Sequence, residues 1–353
     1  MKNLLVPIAG KSTRFPNTRP KWMLTHPKSG YFMAIESIRG FNLDFFDKIY
    51  FIGIREHLDQ FEYKKGFEYE LSKLGLENKT ELVILNESTD SQSETVYKAL
   101  IEKKINGFIT VKDSDNFFKC NFEDTNNKIS YFNLHKTDNI NPGNKSYIQL
   151  DENNVITNIV EKAIISPTFS IGGYSFNSAK DFIKSFESIK DIEGECYISN
   201  IIYDMMLKEK VFYGQPCSGY KDWGTLEDWN RYKKQYTTLF VDIDGTLVEN
   251  TSYKFPPYIG NGKGLTGNIS WLQEMYKKGK TEIILTTSRP EEYRNETLEE
   301  LAKKEIPYDR IVMGLNHCKR IIINDYANSN PYPSCDSINI ERNSNNLKNY
   351  KIT

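Results

Sequence analysis

The sequence predicts an α/β protein of two domains, and three observations carry that prediction. Short runs rich in Val, Ile and Phe recur at 3 to 9, 48 to 54, 81 to 85 and 107 to 112. Segments of helical character lie between them, at 31 to 40 and 93 to 104, and such alternation builds a mostly parallel sheet with helices on its faces. At 353 residues the chain is also long enough for two cores, since domains cluster at about 100–150 residues.

From about 146 to 176 the pattern turns strand-rich, in "SYIQLDENNVITNIVEKA" and "TFSIGGYSF". Two helical stretches follow, "SAKDFIKSFESI" and 196 to 208, and the first domain closes with "VFYGQPCSGYKDWGTLEDWNRYKKQY". A fresh α/β unit then begins at Thr238: strand 238 to 243, helix about 267 to 278, strand 281 to 286, helix 291 to 304 and strand 320 to 324. The boundary falls near 235 to 237, giving domains of 1–236 and 237–353 with almost no linker.

A formal net charge of -1 with no block of like charge leaves no basic footprint for nucleic acid and no arm for a membrane surface. Small molecules are the expected partners, and a homo-oligomer is compatible with this composition. The first apolar run is too short for a signal peptide and nowhere do about 18 apolar residues run together, so a cytoplasmic protein is expected. Five cysteines stand far apart without a CxxC pair. They read as unpaired thiols, and a zinc site is not expected.

The loop after the first strand, "AGKSTR" at 9 to 14, is cationic and built of small residues. An oligophosphate needs backbone N–H groups at close range, which Ala9, Gly10, Ser12 and Thr13 would allow, and fixed positive charge, which Arg14 and Lys21 would supply. Pro20 fixes the backbone just ahead of Lys21. A solvated loop after an edge strand is the competing reading of these residues alone.

"PIAGKSTRF" followed by "RPKWML" resembles the signature of the sugar nucleotidylyltransferases, GT-A-like enzymes that join a nucleoside triphosphate to a sugar or polyol phosphate. Ser12 stands where that family usually has Gly. Three further stretches in the family's order extend the resemblance over most of 1 to 235. "FITVKDSDNFF" implies a metal ligand at Asp113, with Asp115 as the alternate, and "YKDWGTLEDW" implies a second magnesium ligand at Asp222. "VEKA" with "IGGYSF" implies that Glu161 and Lys162 hold the acceptor phosphate, although Ala163 replaces the usual Pro. The resemblance thus implies a Rossmannoid GT-A-like domain in which an acceptor phosphate oxygen attacks an α-phosphorus. Mg2+ on Asp113 and Asp222, with Arg14 and Lys21 on the triphosphate, would balance the charge. The closest likeness is to cytidylyltransferase-like members found with capsule genes. It implies CTP, a polyol or ketose phosphate as the preferred acceptor class, and a role in surface polysaccharide precursor synthesis.

A second loop, in "LFVDIDGTLVEN" at 239 to 250, reverses the charge. Asp242 and Asp244 lie two residues apart, on one face of a continuing strand, and Gly245 lets the chain turn away at once. One carboxylate of such a pair can attack a phosphoryl group while the other handles the proton. A calcium loop would need further oxygen ligands that this spacing lacks. "VDIDGTL" resembles motif I of the haloacid dehalogenase (HAD) superfamily. The resemblance implies Asp242 as nucleophile and metal ligand, Asp244 as general acid and base, and, through "IILTTSRP", Thr287 on the phosphoryl group. "RIIINDYA" implies Asp325 on magnesium, with Asn324 where many members have a second Asp. The phosphate-neighbouring lysine falls on Lys319, unusually close to Asp325, with Arg320 beside it. The spacing leaves room only for a minimal cap.

Together the resemblances imply a bifunctional enzyme, a nucleotidyltransferase fused to a HAD-type phosphatase. Two alternatives stay open: a GT-A glycosyltransferase using "DSD" at 113 to 115, and a nucleotidyltransferase whose HAD half is a non-catalytic scaffold.

Overall fold

Alternation along β1 (Lys2–Pro7) sorts the first core into two faces. Leu5 enters one hydrophobic cluster while Leu4 and Val6 enter the other, as the two-residue period of a strand requires. All three are fully buried, which places β1 inside a sheet covered on both sides. This computed structural model describes residues 1–10, 12, 14–15, 18–137, 141–191, 193–325 and 334–350. The chain divides into two compact units, Met1–Trp229 and Asn230–Thr353, whereas the sequence places the boundary at 236/237, ahead of the next strand.

In the first unit, β1 is followed by α1 (Met33–Ile38), β2 (Lys48–Ile54), α2 (Arg55–Phe61), α3 (Lys64–Lys73), β3 (Thr80–Leu85), α4 (Gln92–Glu102) and β4 (Phe108–Lys112). β1 lies between β2 and β4, and β3 flanks β2, all in parallel register. These strands occupy the four apolar runs of the sequence. Ser91 starts α4: its Oγ accepts from the Glu94 N–H (3.1 Å), and the Glu94 carboxylate accepts from the Asp90 N–H (2.7 Å), which satisfies two N–H groups at the helix start.

The rest of the unit is mostly antiparallel. It comprises β5 (Asn116–Lys119), β6 (Lys128–Asn133), β7 (Ser146–Leu150), β8 (Ile156–Glu161), β9 (Thr168–Phe176), α5 (Ala179–Ile189), α6 (Ile198–Leu207), β10 (Tyr213–Pro216) and β11 (Ser218–Asp222), and α7 (Leu226–Lys233) runs across the boundary at Trp229. β9 runs antiparallel between β4 and β6 and carries the β7–β8 hairpin on its side, while β5 and β11 form a separate ribbon. Trp22, Phe32, Phe51, Tyr63 and Phe67 pack beneath the parallel half, with Phe51 and Phe67 ring centroids 4.8 Å apart.

The second unit holds β12 (Thr237–Asp242), α8 (Thr266–Lys277), β13 (Thr281–Thr286), α9 (Arg294–Lys303) and β14 (Arg310–Val312). The three strands form a parallel sheet in the order β12-β13-β14, over a core that includes Val241, Ile243, Leu272, Ile283 and Leu301. The strand expected at 320 to 324 is not formed, and Ile321, Ile322 and Ile323 are exposed. A β-branched run measures only how well a segment would suit a pleated, half-buried surface. Here β14, whose signal is weaker, takes the third place. No helix among the described residues is long and apolar enough to cross a membrane.

Phe67 is fully buried against four aromatic neighbours. Phe67→Ala is expected to destabilise the first unit by about 3–5 kcal/mol, read as a lower urea midpoint; an unchanged midpoint would contradict this packing.

Candidate active sites

In the first unit, β1 ends and the chain runs through Ala9, which is buried, to Gly10, where an added Cβ would meet only open space. Ser12 has φ +51°, a left-handed conformation that glycine adopts more readily. Its Oγ accepts from the Lys21 N–H (3.0 Å) and donates to the Gly10 carbonyl (3.4 Å), so the side chain closes the loop. Thr13 lies outside the described residues. Arg14 is exposed, and Lys21 opens a short 3-10 turn, Lys21–Met23, with Trp22 and Met23 anchored in the core.

The Lys21 ammonium pairs directly with the Asp115 carboxylate. Asp115 sits in the tight turn between β4 and β5, and its own carbonyl accepts from the Trp223 N–H (2.9 Å). Burial alone would raise the Asp115 pKa. Lys21, helped by Arg14 and Lys145, overrides it and holds the carboxyl below the usual range.

Asp113 has other partners. Its N–H donates to the Gly172 carbonyl (2.8 Å) and its Oδ1 accepts from Gln92 Nε2 (2.6 Å). Gly172 has φ +77°, and a Cβ there would stand 2.1 Å from Asp113 Oδ2, so this approach requires glycine. Burial, then the neighbouring Asp115 charge, pushes the Asp113 carboxyl up. Behind the turn, the buried Lys112 donates to the Asp113 carbonyl (2.6 Å), the Asn116 carbonyl (3.0 Å) and Asn116 Oδ1 (2.6 Å). Its burial lowers the ammonium to about 8.

Asp222 ends β11 opposite Asn116. Its Oδ2 accepts from Lys145 Nζ (2.5 Å), which also donates to the Tyr220 hydroxyl (2.9 Å). A Cβ on Gly224 would lie 3.1 Å from Asp222 Oδ1 and 3.6 Å from Asp115 Oδ2. Asp115 and Asp222 therefore converge on one small space, each with its own lysine. Glu161 accepts from the Ser146 and Ser199 hydroxyls. Lys162, exposed and at φ +55°, donates its N–H to the Lys145 carbonyl (3.0 Å) and its Nζ to the Tyr197 hydroxyl (2.6 Å). Lys162 thus adjoins Lys145 through the backbone.

In the second unit, Asp242 ends β12 beside Thr286 of β13. Its Oδ1 accepts from Arg320 Nη1 (2.7 Å) and its Oδ2 from Thr246 Oγ1 (3.5 Å). Burial pushes the Asp242 carboxyl up, and Arg320 opposes that push. Gly245 at φ +85° turns the chain after Asp244. Asp244 is clamped by Arg289, Nε to Oδ2 (2.9 Å) and Nη2 to Oδ1 (2.8 Å), and accepts from Thr251 (2.6 Å) and Thr287 (3.2 Å). The Arg289 side chain is 2% exposed and also pairs with the fully buried Glu300 (2.8 Å). Lys319 and Asp325 are exposed; Arg320, not Lys319, reaches Asp242. The Asp325 carbonyl accepts from the Ser334 hydroxyl.

Among the described residues no three Asp, Glu, His or Cys side chains form a preassembled metal cage. The Asp115 and Asp222 pair still fits magnesium, which is commonly held by one or two carboxylates plus substrate phosphates. Asn324 donates to the Ser334 carbonyl (3.4 Å).

Gln92, Lys112, Lys145, Arg289 and Arg320 are contacts the sequence reading assigned no role or only a neighbouring one. Lys112 was signalled by a lysine closing the otherwise apolar strand "FITVK", and Arg289 by its place two residues after Thr287. Lys145 and Gln92 carry no local signal, because only the folded sheet brings them to the aspartates.

No known family model matches the sequence, and no curated protein sequence matches it either. Solved structures do. A nucleoside-diphosphate-sugar pyrophosphorylase from Vibrio cholerae RC9 is 20% identical with a TM-score of 0.55, over 65% of this chain and 99% of that one. The inositol-1-phosphate CTP transferase from T. maritima is 14% identical, TM-score 0.51, over 65% and 91%. A UDP-glucose pyrophosphorylase bound to UDP-glucose is 16% identical, TM-score 0.50, over 66% and 97%. At such identity the likeness establishes a shared fold, a mixed α/β domain around a central sheet.

Removing Arg289 would leave Asp244 without its clamp and Glu300 with Lys304 as its remaining ion-pair partner. Arg289→Met is expected to cost the second unit about 3–5 kcal/mol, seen by calorimetry as a lower melting transition. Arg289→Lys should recover only part of it, because one ammonium cannot replace a planar two-point grip. Equal stability of all three proteins would contradict this clamp.

Proposed function

We propose that the first unit is a nucleotidyltransferase that joins the nucleotidyl group of a nucleoside triphosphate, CTP by preference, to a sugar or polyol phosphate. One observation carries the reading: two lysine–aspartate pairs, Lys21–Asp115 and Lys145–Asp222, converge beside a loop of small residues with Arg14. The shared fold with pyrophosphorylases and a CTP transferase supports it, and the transfer from CTP by which the T. maritima protein is described supports cytidine.

In this reaction an acceptor phosphate oxygen forms a bond to the α-phosphorus while the bond to the β-phosphate oxygen breaks, and pyrophosphate leaves. Such transfers depend on positioning and charge neutralisation. Arg14 and Lys21 bind the triphosphate oxygens, and Lys145 with Lys162 binds the acceptor phosphate. Asp115 and Asp222 are the ligands for Mg2+, with Asp113 orienting the turn through Gln92 and Gly172. When bound, that ion would neutralise charge on the α-phosphate and on the attacking oxygen.

For the second unit we propose a HAD-type phosphatase. Asp242 attacks phosphorus, Asp244 gives a proton to the leaving oxygen, and water then releases phosphate from the aspartyl intermediate while Asp244 takes its proton. In this reading Asp242 and Asp325 would hold Mg2+, which would supply charge neutralisation at the phosphate, with Arg320 or Lys319 as its neighbour. The position of Asp242 at the end of β12, half-buried beside Thr286 and in contact with Arg320, supports chemistry over a scaffold. Together the two activities suit synthesis of a surface polysaccharide precursor.

Wild-type protein with CTP, Mg2+ and a phosphorylated polyol or sugar should release pyrophosphate, and Lys21→Met should lower kcat/KM by roughly 100- to 1,000-fold. No pyrophosphate from any of the four common triphosphates across a broad acceptor panel would contradict the reading. Release of a nucleoside diphosphate from a nucleotide-sugar would favour the glycosyltransferase instead.

Asp242 must be ionised to attack, so phosphatase activity should fall as pH drops through its raised pKa. Arg320 opposes that rise; Arg320→Met should therefore move the acidic limb of the kcat/KM profile to higher pH. Asp242→Asn should abolish phosphate release. Equal background release by wild type and Asp242→Asn would favour the scaffold.

A further inference from the structure

A cavity of about 600 Å³ opens in the first unit, lined by none of the residues placed in the sites above. Cys120 and Cys217 share its wall with Lys119, Lys128 and Gln215. Both thiols are free. Their position follows from the β5–β11 ribbon, in which Ser218 stands opposite Lys119. One step further along this antiparallel register sets Cys217 opposite Cys120.

Neither residue uses its N–H toward the other. The Cys120 N–H donates to the Gly40 carbonyl (3.0 Å) and the Cys217 N–H to the Tyr131 carbonyl (3.2 Å). Cys120 and Cys217 immediately flank Lys119 and Ser218, the last paired residues of the ribbon, and facing residues of an antiparallel pair stand about 4.5–5.5 Å apart at Cα. That separation falls within the range a disulfide spans. Both thiols line the same cavity wall, where Cys217, half-buried, donates its Sγ–H to the Gln215 carbonyl (3.4 Å).

We propose that Cys120 and Cys217 are a redox-active dithiol, a modification site that a hydroperoxide closes to a reversible disulfide between β5 and β11. The Cys120 thiolate attacks one peroxide oxygen, the O–O bond breaks, and hydroxide leaves, giving a sulfenic acid. The Cys217 sulfur then forms the S–S bond as the sulfenic oxygen departs in water, so that two thiols are oxidised and one peroxide is reduced. The neighbouring Cys217 thiol lowers the Cys120 pKa against the opposing push of burial, and Lys128 and Lys112 add to the lowering, which raises the thiolate fraction. The bond would tether the ribbon that begins one residue after Asp115 and ends on Asp222. This inference does not depend on the nucleotidyltransferase reading.

The test uses full-length chain carrying Cys318→Ser and Cys335→Ser, which removes the two exposed thiols. After brief hydrogen peroxide treatment, denaturing alkylation should label Cys196 but neither Cys120 nor Cys217. Peptide mapping should recover the 120–217 cross-link, and dithiothreitol should restore both labels. With Cys217→Ser added, dimedone should trap a sulfenic acid on Cys120. Full alkylation of Cys120 and Cys217 after peroxide, or their separate oxidation without a cross-link, would overturn the proposal.

Discussion

Opposite charges held at the ends of strands organise the first unit's site. Asp115 and Asp222 come from turns more than a hundred residues apart in sequence, and the β5–β11 ribbon brings them beside one glycine. Two carboxylates so close would repel and resist burial unless cations met them. Lys21 and Lys145 supply those cations from two other segments, and the fold must hold four chain segments in register for the balance to exist. The buried Lys112 serves the same end from behind, binding both sides of the turn that carries Asp113 and Asp115.

The second unit solves a similar problem with a different cation. Asp244 is gripped at both oxygens by Arg289, which in turn meets the buried Glu300. A guanidinium suits this because its planar fork satisfies two carboxylates in fixed directions. Among the described residues, Asp242, two residues earlier, meets Arg320 and a long contact from Thr246. The pair is thereby divided into one carboxylate immobilised by a cation at both oxygens and one more open to change. Such a clamp favours an ionised carboxylate, so the proton transfer proposed for Asp244 requires Arg289 to loosen its grip.

Much of this was legible in the sequence, for identifiable reasons. β1, β2 and β4 announced themselves because strands buried on both faces read as near-unbroken apolar runs, and β1 shows that pattern plainly, while β3 at the sheet edge is only partly buried. The loop residues Gly10, Ser12 and Lys21 were readable from local composition. What sequence could not show was partnership: nothing near Lys145 or Gln92 points to the aspartates they bind. Periodicity also said nothing of how Asp113 and Asp115 would be partnered: the fold gives Gln92 to the first and Lys21 to the second. The isoleucine run at 321 to 323 misled because strand propensity needs a partner edge to become a strand.

The central claim is that Asp115 and Asp222 carry charge meant for a metal–triphosphate complex and are held meanwhile by Lys21 and Lys145. Calorimetric titration of CTP into wild type, Asp115→Asn and Asp222→Asn, each with and without magnesium, tests it most directly. The account predicts that magnesium strengthens binding to the wild type and that either substitution removes most of that dependence. Equal affinity with and without magnesium in the wild type, or the same magnesium dependence in all three proteins, would contradict it.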